Sequence, residues 1–200
     1  MIPIATLLGE YRTGYFPMAV NGGIKWFSPG RRGVIPLDRF KVSRRLTRLV
    51  RQERFRVTVN RSFRDVITAC ASRPDPNGNW IDEEILESYC VLHRVGHAHS
   101  VEVWDGDLLA GGLYGVSLRG AFFGESMFHA VRDASKVALY ALVERLRVRG
   151  FRLLDIQWVT PHLEQFGAIE IDRHDYLSEL GESMQHECLF GDPDEGQGAE

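Results

Sequence analysis

The stretch HSVEVWDGDLLAGGLYGVSLRGAFFGESMF, His99 to Phe128, decides the fold class. It divides into three strand-like runs, HSVEVWDG, LLAGGLYGVSL and AFFGESMF, with turn signals at Asp105-Gly106 and Arg119-Gly120, and so predicts an antiparallel meander. Downstream, Asp133 is expected to cap a helix running to about Arg149, with Val137, Tyr140, Ala141 and Leu146 among its apolar positions and Gly150 as its stop. RLLDIQWV and FGAIEI read as further strands. Upstream, a helix is expected from about Asp82 to Arg94, with acids crowding its first turn, and another from about Ser62 to Ala71. FRVTVN alternates as a strand, RPDPNGN reads as a loop, and a basic helix is expected from about Val42 to Gln52. This order predicts an α+β domain with a mostly antiparallel sheet, compatible with an acyltransferase fold. Residues 1–38, rich in Gly, Pro and aromatics, are expected to form a small N-terminal lobe of turns and short extended pieces without long helices. The main domain is then 39–180, and 181–200 is an acidic tail expected to be mobile.

Net charge is −3, but its distribution is uneven. Residues 1–64 hold fourteen Arg and Lys against three acids, leaving the rest of the chain strongly acidic. On the expected basic helix Arg44, Arg48 and Arg51 share one face, with Arg45 beside them, while Leu46, Leu49 and Val50 can face a core. Such a face is either a solvated surface or a footprint for polyanions, and the dominance of arginine tilts it towards phosphate. No run of eighteen apolar residues occurs, and MIPIATLLGEYRTGYFPM lacks a secretory pattern. Cys70, Cys90 and Cys188 are odd in number and lack CxxC spacing, which favours a reducing compartment. The expectation is a cytoplasmic protein with no membrane partner.

Ser126 lies in GESMF, where Phe128 stands in place of the second glycine of a nucleophile elbow, so a hydrolase serine fits poorly. His93, His97 and His99 near Cys90 lack a second ligand pair of recognised spacing, and no metal is expected. No GxxxxGK[ST] loop is present, and GLYGVSLRG lacks the context of a dinucleotide fingerprint. Two carboxylates on expected interior strands remain, Glu125 and Asp155. By strand alternation Asp155 and Gln157 point to one face, forming a polar patch that needs either a protein donor or a cationic substrate.

The segments YRTGYFPM, WFSPGRRGVIPL, WIDEEILESYCVLHRVGHAHSVEVW, FFGESMFHAVRDASKVALYAL and LLDIQ closely resemble the bacterial leucyl/phenylalanyl-tRNA-protein transferases, in one order from about Leu7 to Leu180. The resemblance implies a GNAT-like catalytic domain and transfer of Leu or Phe from aminoacyl-tRNA to an N-terminal Arg or Lys of a protein, marking it for N-degron degradation. It implies no cofactor and a chain acting as a monomer. Asp155, Gln157 and Glu125 become the candidate catalytic residues. Trp26, Phe27, Trp80, Leu113, Phe122 and Met127 become the candidate walls of an apolar pocket, and Arg44, Arg45, Arg48 and Arg51 the candidate tRNA contacts. Departures fall close to these residues: Ile156 stands where the family has cysteine, Phe166 where serine is usual, and Leu113 where methionine is common.

Two rival readings are an acetyltransferase using a CoA thioester and a non-catalytic RNA-binding adaptor. The first wants a pyrophosphate-binding turn of the Q/RxxGxG/A kind, which FHAVRDASK does not supply. The second leaves Glu125, Asp155 and Gln157 unexplained.

Overall fold

The computed structural model describes residues 1–73 and 79–191. The chain starts with a helix, α1 (Ile4–Arg12), which buries Leu7 and Tyr11, one turn apart, in the main core. No long helix was expected in this stretch; tertiary burial of two side chains outweighs its glycine and proline content. A hairpin follows, β1 (Phe16–Val20) and β2 (Gly23–Phe27), closed by Asn21 and Gly22. Both turn residues have positive φ, 54° and 77°, the backbone signs of a type I′ turn.

β3 (Arg31–Val34) pairs with two later strands, so it is an internal member of the large sheet although it lies within residues 1–38. The boundary expected at residue 38 therefore does not separate one sheet from another. α2 (Arg44–Arg51) is the expected basic helix; the Ser43 hydroxyl caps it by accepting the Leu46 N–H. β4 (Arg56–Val59), α3 (Phe63–Ala71) and α4 (Glu83–Arg94) come next. Asp82 caps α4 through the Ile85 N–H at 2.8 Å. Most of the expected RPDPNGN loop, residues 74–78, lies outside the described residues.

β5 (Ala98–Asp105), β6 (Leu108–Leu118) and β7 (Ala121–His129) form the expected meander. α5 (Ala134–Val148) follows, but the Asp133 side chain does not cap it: Asp133 has φ 69°, and its carboxylate meets Arg45 and Lys136 instead. β8 (Leu153–Gln157) lies parallel to β7, and α6 (Pro161–Glu164), β9 (Ile169–Asp172) and α7 (Arg173–Ser183) complete the chain. The seven-stranded sheet runs β4-β5-β6-β7-β8-β3-β9, antiparallel except at β7–β8. This is the α+β architecture with a mostly antiparallel sheet that the sequence predicts.

Alternation along the strands divides the core between the two faces. Tyr114 and Phe123 pack with α1, α3, α4 and α7, whereas Leu113 and Phe122 pack with α2 and α5. Within residues 184–191, part of the tail expected to be mobile, Phe190 is anchored in the core while Gln185, His186, Glu187 and Leu189 are exposed. Phe190 is buried, its ring stacks 5.0 Å from that of Phe122, and its carbonyl accepts from Arg145 Nε at 2.7 Å. The remaining tail, residues 192–200, lies outside the described residues. Among the described residues no helix is long and apolar enough to cross a membrane.

Candidate active site

β7 and β8 pair only over Ala121–Phe123 and Leu153–Asp155. Beyond that point a cavity of about 360 Å³ is lined by residues of both strands, including Glu125, Met127, Ile156 and Gln157. Its walls take Leu113 from β6 and Leu139 and Leu142 from α5, while Trp80 and Met18 contribute from the opposite face of the sheet.

Glu125 sits at a bulge. Tyr114 faces Ser126 and Gly115 faces Gly124, so Glu125 is the extra residue of β7 with no counterpart on β6. Glu125 keeps the face that alternation gives it with Phe123, both meeting Tyr11, and the insertion shifts the residues after it, so that Phe128 packs with the main core and Met127 with the α5 side. Gly115 permits it: a Cβ there would stand 2.2 Å from the Phe123 carbonyl oxygen and 2.5 Å from the Phe122 ring. The Glu125 carboxylate accepts from the Tyr11 hydroxyl at 2.7 Å and from the Tyr89 hydroxyl and Gln157 Nε2 at 3.4 Å each. Tyr11 and Tyr89 also hydrogen-bond to each other. Among the described residues no cationic side chain forms an ion pair with Glu125. Removal from bulk water pushes its pKa up to about 8; the Tyr11 hydrogen bond opposes the rise and the charge of Asp155 adds to it.

Asp155 has the opposite surroundings. It is fully buried and accepts from Arg32 Nε at 2.9 Å, Arg32 Nη2 at 2.7 Å, the Tyr176 hydroxyl at 2.7 Å and the Gln157 backbone N–H at 2.8 Å. Arg32 in turn donates to the Gly14 carbonyl, and its guanidinium lies 4.7 Å from the Phe16 ring centre and 4.5 Å from that of Tyr176. Asp155 therefore does not line the cavity, whereas Gln157 does. Leu154 and Ile156 pack on the α5 side, while Asp155 meets Arg32 and Tyr176 and the Gln157 side chain meets Glu125; Gln157 ends β8 with φ 58°, outside the extended region. The bond from its N–H to Asp155 holds this turn.

Of the expected pocket residues, Trp80, Leu113 and Met127 line the cavity. Phe122 does not: it is buried on the α5 side against Phe190 and Phe151. Trp26 and Phe27 also lie outside it; they pack against the main core, Phe27 at 6.2 Å from Phe16 and 6.5 Å from Trp158. Arg44, Arg45, Arg48 and Arg51 are all exposed on α2. Arg45 pairs with Asp133 at 2.6 Å, directly before the helix that supplies Leu139 and Leu142. His93 and His99 are engaged within the fold, with the Ala98 carbonyl and with Asn60 and Ser117 respectively. Sequence reasoning missed Arg32, Tyr11, Tyr89 and Tyr176, none of which lies near its carboxylate in the chain. The leucines of α5 were legible only as core positions.

The cavity places a carboxylate of raised pKa beside an apolar chamber, an arrangement suited to a ligand with one cationic and one apolar end. A known relative in Rhodopseudomonas palustris (strain TIE-1), a leucyl/phenylalanyl-tRNA–protein transferase, is 56% identical over 189 residues, covering 92% of this chain and 84% of its own. One of the same description in Maricaulis maris (strain MCS10) is 51% identical, with 97% and 92% covered. Among solved structures, a GCN5-related N-acetyltransferase from Sphaerobacter thermophilus aligns with TM-score 0.40 and 15% identity, covering 85% of this chain and 54% of its own. The two relatives define the class, that of aminoacyl-transferring enzymes. A family profile described as leucyl/phenylalanyl-tRNA protein transferase matches residues 34–181, and the chain belongs to that family.

Proposed function

We propose that this chain transfers leucine or phenylalanine from aminoacyl-tRNA to the α-amine of proteins that begin with Arg or Lys, in the cytoplasm and as a monomer, marking them for degradation. The observation that carries the reading, given the family, is Glu125: a carboxylate in no ion pair among the described residues, on the wall of an apolar cavity. The apolar part, with Leu113, Met127, Leu139 and Leu142, takes the donor side chain. The exposed arginines of α2 contact tRNA phosphates, a salt-dependent interaction that reads little sequence.

In the reaction the acceptor nitrogen attacks the ester carbonyl carbon, the C–N bond forms, and the bond to the ribose 3′-oxygen breaks. One amine proton is lost and the 3′-oxygen gains one. An amine is already nucleophilic once neutral, so holding the two reactants together is the main contribution. Glu125, with its pKa near 8, is matched to an α-ammonium, whose ordinary pKa is about 8, and serves as its proton acceptor. Gln157, hydrogen-bonded to Glu125, orients it. Asp155 acts at one remove, through the Gln157 backbone and Arg32, because all its near neighbours are protein donors.

Incubation with leucyl-tRNA, phenylalanyl-tRNA and acetyl-CoA, offering peptides that begin with Arg, Lys or Ala, tests the reading. Transfer from the tRNAs to the Arg and Lys peptides alone is expected. Acetyl transfer from CoA, or RNA binding with no transfer, would replace it by one of the rival readings.

A further inference from the structure

Trp158 follows Gln157 directly, and both line the cavity. By alternation its side chain would join Leu154 and Ile156 on the α5 side. It meets Phe16 and Phe27 instead, which pack with the main core. A turn makes the difference: the Trp158 N–H donates to the Ile156 carbonyl at 2.6 Å across Gln157, whose φ is 58°. A bond of this span around a residue of positive φ is a γ-turn of the rare, strained kind. Such strain persists only where the surroundings over-determine it. Here Asp155 accepts from the Gln157 N–H at 2.8 Å, and Gly33, opposite Gln157 on β3, leaves room for the backbone: a Cβ there would stand 2.7 Å from the Trp158 carbonyl carbon and 2.8 Å from the Val159 nitrogen.

The turn delivers a large aromatic ring to the mouth of the cavity. Trp158 lines the cavity and is still 42% exposed, and its ring is fixed edge-to-face, 5.0 Å from that of Phe16 and 6.5 Å from that of Phe27. It therefore stands apart from the aliphatic wall of Leu139 and Leu142, which is on the α5 side. Among the described residues Glu125 is the only acid that lines the cavity, and the acceptor α-amine engages it. A second positive charge on the acceptor then has no carboxylate to meet. The indole face is the strongest aromatic partner for a cation, and a planar guanidinium stacks on it more readily than an ammonium. The acceptor's first side chain starts on the carbon bonded to its α-nitrogen, so it emerges beside Gln157, about 3.8 Å along the chain from Trp158.

We propose that the Trp158 indole is the subsite for the side chain of the acceptor's first residue, holding its cation by stacking and favouring Arg over Lys. The inference rests on the acceptor reading above. Steady-state transfer from leucyl-tRNA to two peptides that differ only in starting with Arg or Lys tests it. Trp158→Leu is expected to raise KM about tenfold for the Arg peptide and less for the Lys peptide, with kcat and KM for leucyl-tRNA unchanged. Trp158→Phe, which keeps a ring, restores part of the loss, whereas a change that merely loosened the fold would also alter kcat or KM for the donor. If Trp158→Leu leaves KM for both peptides unchanged, raises both alike, or raises KM for leucyl-tRNA because the ring stacks a base, the subsite is wrong while the aminoacyl-transfer reading stands. If wild type transfers to neither peptide, the underlying reading fails.

Discussion

Glu125 should make the folded chain less stable as pH rises, and Glu125→Gln should remove that effect. In the unfolded chain the carboxyl loses its proton near 4.5, whereas in the fold it holds it to about 8. Between these values the native state binds more protons than the unfolded one, so stability falls with increasing pH and levels off above about 8. At about 1.4 kcal/mol for each tenfold change in proton affinity, the full effect is roughly 3 to 5 kcal/mol. At pH 5 the wild-type group is neutral in the fold and Gln is its near-isostere, so the two proteins should differ little. At pH 9 the variant should be more stable by roughly that amount. Urea unfolding of both proteins at pH 5, 6, 7, 8 and 9 measures this, because every other titrating group is common to both and cancels in the difference. A difference independent of pH, or a variant less stable at pH 9, would show that Glu125 ionises normally and would remove it as the matched proton acceptor.

Asp155→Asn leaves the Arg32 charge buried and unpaired, and should cost about 3 to 5 kcal/mol in urea unfolding. Combining it with Arg32→Met should cost less than Asp155→Asn alone; simple additivity of the two changes would contradict the coupling. Reversing Arg44, Arg45 and Arg48 to Glu should weaken tRNA binding and flatten its dependence on salt, by roughly two to three in the slope of log K against log salt. Unchanged binding at physiological salt would exclude α2 as the contact. Phe190→Ala should destabilise the chain by about 3 to 5 kcal/mol, because it opens a hole against Phe122 and Phe151. A loss below about 0.5 kcal/mol would mean that the packed end contributes little in solution.

Much of the secondary structure was legible because its signals are local. The meander announces itself through Asp105-Gly106 and Arg119-Gly120, α4 through the acids of its first turn, and α2 through Leu46 set among arginines. Where a residue's conformation depended on distant contacts, local reading failed. Asp133 resembles a cap but is turned to three cations, Phe122 resembles a pocket wall but faces Phe190, and Phe190 lies in an acidic stretch that by composition should not pack.

The sequence by itself determined the family, the alternation of helices and strands, and the presence of two carboxylates on interior strands. Tertiary structure alone decided what each carboxylate does. Arg32 reaches Asp155 across 123 residues because β3 is inserted beside β8, and Tyr11 reaches Glu125 across 114 because α1 docks on the sheet. Composition and periodicity describe which side chains can be buried. Which donor a buried carboxylate meets is set by strand order and by the helix that docks on the sheet, and these determine whether its charge is neutralised by the protein or left for a ligand.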